Sequence, residues 1–335
     1  LVAFLASVVD LGALLEARIR HQGAADAAAY SGAVVRAQGL ATIAAMNHVL
    51  VWLARAALGL VAAVVTLGVL VALNAAFPGA FAWAVPLFAK AVSAAVEWLP
   101  RLRSWSDRLA RAEDRIAKVT PLLAAAEVDR IARANGAAHG LALPPAAPLP
   151  VSPEKNVPRF VDRVTGGVVP AWAAGRLFGG GTGGFSQSHS REEGEGRFRR
   201  TRSATKTDGD LGEGVTDPAA RRNLSRFQRM MKDLSRNPWP LPRVLDRRYR
   251  DESLTVAAFP SSESFRPPLW EEAFPAPKTY PFVATARPFH PGLDSEDARD
   301  NLYLIEGWTA ELVPVDLKPL RKLGLPADRL KGLEH

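Results

Sequence analysis

The sequence predicts an α+β protein: long apolar N-terminal helices, then an irregular Pro/Gly-rich region, then a small antiparallel β-containing C-terminal domain. Three observations carry this reading. Residues 1–77 contain no proline and are rich in alanine, the strongest helix former. Residues 56–89 contain no charged side chain. From residue 254 onward the apolar pattern shortens into β-branched and aromatic runs bounded by Pro, Gly and Ser.

The averages conceal this division. The 335 residues carry 42 Lys/Arg and 34 Asp/Glu, a formal charge of +8, and no cysteine. The missing cysteine excludes a disulfide scaffold, thiolate zinc sites and a cysteine nucleophile. Nine of the 76 charged residues fall in the first hundred positions, so an almost uncharged N-terminal third precedes a basic remainder.

Residues 1–15 (LVAFLASVVDLGALL) are apolar apart from Asp10 and would cross roughly two thirds of a ~30 Å hydrocarbon core. A carboxylate in such a stretch is costly, so Asp10 lies either at the water interface or against an amine or backbone amide of a neighbouring subunit. Residues 57–77 (ALGLVAAVVTLGVLVALNAAF) are long enough to span, with Thr66 and Asn74 their only polar side chains. The alternative is a fully buried helix of a soluble protein. Gly12, Gly23, Gly32 and Gly39 each weaken a helix by ~1 kcal/mol relative to alanine. Together with Ala25, Ala29, Gly59 and Gly68 they permit close backbone approach between helices.

Asp10-Leu11-Gly12, then Gln22, then the AADAAA run containing Ala25, Asp26 and Ala29, then Gly32-Ala33 form an ordered series over residues 1–45. This series resembles the N-terminal signature of the TadE/TadG-like proteins of Flp (Tad) pilus-assembly systems. The resemblance implies a structural, pilin-like protein anchored in the bacterial inner membrane before assembly and then carried into a surface filament. Its implied partners are copies of itself or other pilin-like subunits, and membrane lipid before assembly. Tyr30 and Ser31 depart from the small residues usual there, and a second apolar segment is not part of the single-anchor pattern. The Asp-x-Ser-x-Ser step of a von Willebrand A-type metal site is missing from the sequence, so no metal site is carried over.

The expected segments are a pilin-like helix over 1–55, a second apolar helical segment over 56–99 and an amphipathic helical region over 100–139. A Pro/Gly-rich linker and flexible loop over 140–216 follow, then a basic helix with a small β-containing domain over 217–335. Pro121 is expected to interrupt the amphipathic helix, and residues 140–158 to form a semi-rigid linker. Gly179, Gly181 and Gly184 match a dinucleotide fingerprint in spacing alone, without the preceding strand or following helix, so no cofactor is assigned.

Residues 197–250 hold fifteen Lys/Arg against six Asp/Glu. Asp217-Pro218 starts a helix reaching about Ser235, with Leu224, Phe227, Met230, Met231 and Leu234 on one face and Arg221, Arg222, Arg226 and Arg229 largely on the other. With Arg199, Arg200 and Arg202 these form a candidate polyanion surface for an anionic cell-envelope polymer, or a solvated face; nucleic acid is disfavoured because no DNA-reading module accompanies them. Strands are expected over 254–259, 280–286 and 302–313, with prolines 281, 288 and 314 favouring edges, and a short helix over 317–333. His290, between Phe289 and Pro291, is expected to cap a turn. No serine lies in a Gly-x-Ser-x-Gly context, and the paired carboxylates 192–193 and 271–272 read as exposed, so no catalytic group is assigned. Two further readings stay open: a membrane-embedded scaffold of a secretion or pilus-assembly apparatus, and an envelope adhesin using the basic segment.

Overall fold

A computed structural model describes residues 1–143, 148–154, 157–165, 218–236, 239–245, 253–261, 281–291 and 302–315. It is largely helical with a small antiparallel sheet, an α+β architecture. The elements in order are α1 (Val2–Ala76), α2 (Ala84–Ala134), β1 (Ala137–Leu143), β2 (Val151–Pro153), α3 (Val157–Thr165), α4 (Pro218–Arg236), β3 (Arg243–Leu245), β4 (Leu254–Pro260), β5 (Phe282–Phe289) and β6 (Thr309–Val313). The expected helix at 317–333 and Arg199, Arg200 and Arg202 lie outside the described residues.

Two compact units form, and neither is a continuous piece of chain. The first comprises Leu1–His48, Arg111–Pro153 and Arg243–His335; the second comprises Val49–Ala110 and Glu154–Pro242. Both long helices contribute to each unit. The expected boundaries at residues 55 and 99 therefore fall inside helices, because nothing in 1–76 breaks α1 and nothing in 84–134 breaks α2.

In the first unit a four-stranded antiparallel sheet has the order β1-β4-β5-β6. One of its faces packs on α1 and α2. Ala24, Ala25, Ala28, Ala29 and Ala33 of α1 meet Val128 and Ala132 of α2 and Leu254, Val256, Ala284, Ala286 and Ala310 of the sheet. Alanine is a poor strand former, but on both sides of this layer it lets sheet and helix approach closely. Gly140 of β1 continues the same logic: a Cβ there would lie 2.8 Å from the Val128 carbonyl oxygen and 2.6 Å from Ala132 Cβ. Its amide donates to Asp129 Oδ1 at 3.1 Å. The opposite sheet face is also covered, with Leu143, Ala257 and Val283 buried and the Thr255 and Thr285 hydroxyls 3.1 Å apart.

Four expectations are corrected. Pro121 does not interrupt α2. A proline cannot bond the carbonyl four residues back, and the Ala117 carbonyl thereby freed accepts the Leu149 amide at 3.0 Å. The stretch read as a linker from residue 140 instead carries β1, β2 and α3, because Leu141, Leu143 and Val151 have partners supplied from distant sequence. β6 is limited to residues 309–313, since 302–308 turn around Gly307 at φ +88°. Alternation along 302–313 predicts Trp308, Ala310 and Leu312 on one buried face; Ala310 is buried but Leu312 is exposed.

Pro288 lies within β5, an inner strand. β4 pairs β5 only from Phe282 to Ala286, so at Pro288 the strand has a neighbour on the β6 side alone. The missing N–H is tolerated there for the reason it is tolerated at an edge.

In the second unit α1 continues to residue 76, turns through 77–83 and returns as α2. A short connection makes two helices antiparallel neighbours. Each buries one seam, with Ala54, Ala57, Val61, Val64, Gly68 and Val71 on one arm and Ala84, Phe88, Val92, Ala95, Leu99 and Leu102 on the other. Arg55 holds the C-terminal turn of α3, donating to the Val164 carbonyl at 2.9 Å and the Arg163 carbonyl at 3.0 Å. Helix termini leave these carbonyls without intrahelical partners. The expected basic helix is α4, with Leu224, Phe227 and Leu234 buried.

Candidate functional site

The signature residues divide into two groups by exposure. Ala25 and Ala29 are fully buried within the chain's own core. Gly32 belongs to the same layer, because a Cβ on it would fall 2.6 Å from both Leu254 Cδ2 and Val128 Cγ2. Gly39, one helical repeat on, lies as close to Thr120. Gln22 and Asp26, one turn apart, are joined by Gln22 Nε2 donating to Asp26 Oδ1 at 3.0 Å and to the Val283 carbonyl of β5 at 3.3 Å. This central part of the series thus fixes α1 on its own sheet.

Gly12, Gly23 and Gly59 face solvent, with open space for 4 Å around the position a Cβ would take, whereas Gly68 is buried in the second unit. Asp10 is buried. Around it the amino-terminal turns are bare. Leu1, Val2, Phe4, Leu5, Val8, Val9, Leu11, Leu15 and Ile19 are all exposed, Phe4 by 70% and Ile19 by 72%. α1 is long and apolar enough to cross a membrane.

Behind the signature lies a polar junction that the sequence does not reveal. Asn47 is fully buried on α1. Its amide nitrogen donates to the Arg243 carbonyl at 2.8 Å and the Leu302 carbonyl at 2.6 Å, and its oxygen accepts the Arg243 amide at 3.0 Å. His48 Nε2 donates to the Tyr303 carbonyl at 2.6 Å. Two segments, 196 and 255 residues downstream, are therefore tied to one turn of α1. The only signal in the sequence is an Asn-His pair in an alanine-rich helix, which carries no information about partners.

Glu113 of α2 is fully buried, and neither of its carboxyl oxygens has a hydrogen-bond partner. Burial pushes its pKa up to about 8, against the opposing pull of the Arg243 guanidinium. Arg243 itself pairs with Asp114 at 2.8 Å. His290 fulfils the expected turn role: it donates from Nε2 to the Glu306 carbonyl at 2.5 Å and packs edge-on against Trp308. A groove of about 380 Å³ runs beside Gly39, lined chiefly by Val35, Ile116, Val119 and Leu123. Among the described residues no group of three or more His, Asp or Glu converges as a metal site would require.

Of the basic surface, Arg221, Arg222, Arg226 and Arg229 are exposed on α4, opposite its buried leucine and phenylalanine face. Comparison with family models, with curated proteins and with solved structures finds no match for this chain.

Proposed function

We propose that the chain is a structural, non-enzymatic pilin-like subunit or minor component of a Tad-type surface filament, held in the inner membrane by its amino-terminal helix before assembly. The observation that carries this reading is the contrast along α1. Over residues 21–47 the helix is largely committed to its own core, whereas nine large apolar side chains of residues 1–19 are left without cover. Burying each in lipid or against a second copy contributes roughly 1.5–3 kcal/mol. Nine of them contribute up to roughly 13–27 kcal/mol, comparable to or above an association cost of roughly 4–15 kcal/mol, so the same face serves first as anchor and then as polymer contact. The ordered Asp10, Gln22 and AADAAA elements support the pilin-like assignment over an unrelated anchor.

The test compares the full chain with a deletion of residues 1–19 after detergent removal. The full chain should sediment as a regular polymer and the deletion should remain dispersed. A full chain that is monodisperse without detergent would sink the proposal. The exposed arginine row of α4 favours a second role, contact with an anionic envelope polymer. Its binding should weaken steeply with salt and be lost when Arg221, Arg222, Arg226 and Arg229 are neutralised together.

A further inference from the structure

We infer that the groove between α1 and α2 beside Gly39 seats residues 8–16 of a second copy of this chain, laid parallel to the α1 that receives it. This rests on the polymer reading above and adds where on its neighbour the amino-terminal helix lands. Groove and helix both belong to the first unit.

The groove follows from close helix packing. α1 and α2 touch where Gly39 meets Thr120, and two helices in contact leave a crevice along their line of contact that fits a third. Its apolar walls are Val35 of α1 and Ile116, Val119 and Leu123 of α2, around about 380 Å³. Val119 and Leu123 are 47% and 58% exposed. The Thr42 hydroxyl at its edge is engaged within its own helix, donating to the Gln38 carbonyl at 2.8 Å.

The complementary surface is one stripe of the amino-terminal helix. Phe4, Val8, Leu11, Leu15 and Ile19 recur at the three- and four-residue spacing of a single helix face, and all five are exposed. They do not reach the groove of their own chain. α1 is unbroken from Val2 to Ala76, so Leu11 and Gly39 are held ~42 Å apart on one rod. A second copy carries the same stripe free to enter.

Charge sets direction and register. Among the described residues that line the groove only Arg115 is charged, and it is exposed. Glu16 is the exposed acid of residues 1–19, Asp10 being buried. Gly32 faces Val128 and Gly39 faces Thr120, so the two helices run antiparallel here. Arg115 is therefore level with about residue 44 of α1. Placing Glu16 of the second copy there, in parallel orientation, carries Val8, Leu11 and Leu15 along the apolar walls. The antiparallel orientation would bring residues 18–25 instead, and His21, Ala24 and Ala25 are already buried in their own core. A parallel contact staggered by ~42 Å joins different surfaces of the two copies and advances along the axis. It therefore builds an open polymer rather than a ring.

With no native cysteine, cross-links report chosen positions. The full chain carrying Leu11→Cys and Val119→Cys is polymerised by detergent removal and treated with a short bismaleimide. A ladder of covalent multimers is expected on a denaturing gel, because one chain cannot link its own two positions. Leu11→Cys with Leu141→Cys, exposed on β1, should give no ladder. Arg115→Glu should raise the concentration needed for sedimentation at least about tenfold with an unchanged thermal melt, and adding Glu16→Lys should restore it. A chain that sediments as polymer without an 11–119 ladder overturns the inference and leaves the polymer reading standing. Cross-links confined to pairs of position 11 do the same. Polymerisation indifferent to Arg115→Glu overturns the parallel register. A full chain that never sediments overturns both this inference and the polymer reading.

Discussion

At the scale of single residues, the features that decide stability are those with no alternative to their place. Glu113 is the clearest. Its pKa is raised by burial to about 8 from an ordinary value of 4.5, so the folded state holds a proton that the unfolded chain releases between those limits. Stability contributed by this group is full below about pH 4.5 and falls as pH rises toward 8. Glu113→Gln removes the titration, and should gain on the wild type progressively from about pH 5 to about pH 8, by up to a few kcal/mol, and hold that lead at higher pH. Urea melts across this pH range would read the difference; a constant offset would show that Glu113 does not titrate in this range. The glycines make a second comparison. Gly39→Ala places a methyl group 2.6 Å from Thr120 Cγ2, a stiff β-branched side chain, and overpacking of this sort costs roughly 1–3 kcal/mol. Gly12→Ala meets nothing and should stabilise the helix by up to ~1 kcal/mol. Thermal melts of the two variants should move in opposite directions.

At the scale of elements, what is legible in the sequence follows from local rules. A proline-free, alanine-rich stretch to residue 77 makes α1 legible as helix, though not its continuity through residue 55, and Asp217-Pro218 marks the start of α4. The strands at 254 and 282 are visible through their β-branched and aromatic runs. What stays hidden depends on partners far away in sequence. β1 and β2 look like linker because Ala137–Leu143 is alanine- and glycine-rich, and it becomes a strand only by pairing with β4 across more than a hundred residues. The junction at Asn47 is hidden for the same reason. Pro121 shows a local rule overridden: the carbonyl it leaves idle is taken by Leu149. Pro121→Ala therefore restores an intrahelical donor that competes with Leu149 for Ala117. Its stabilisation should fall well short of the ~3 kcal/mol expected of a proline removed from a helix interior, and the Leu149 amide should exchange faster with deuterium. A full gain of ~3 kcal/mol with unchanged exchange at Leu149 would show that this bond contributes nothing.

At the scale of the whole molecule, membrane topology joins the two apolar features and separates the readings. Residues 1–15 and 57–77 are the two apolar stretches of the sequence, and residues 56–89 are free of charge. In the second unit each arm of the hairpin buries a seam, and Lys90 is the first charge on the returning arm. A single crossing by the amino-terminal helix leaves everything after it on one side, whereas a spanning hairpin would pass through twice and place both of its ends on the same side. A reporter inserted at Ala80 decides between them, because these arrangements put the tip on opposite faces of the membrane while leaving His335 on one. With one crossing, a small epitope at position 80 and another after His335 should both be digested by protease added to the same side of sealed inverted or right-side-out vesicles. With a spanning hairpin, the position 80 epitope would be cut from the side where the C-terminal one is protected. That second pattern would favour a membrane-embedded scaffold over a filament subunit, since a protein crossing three times cannot leave the bilayer through its amino-terminal helix alone.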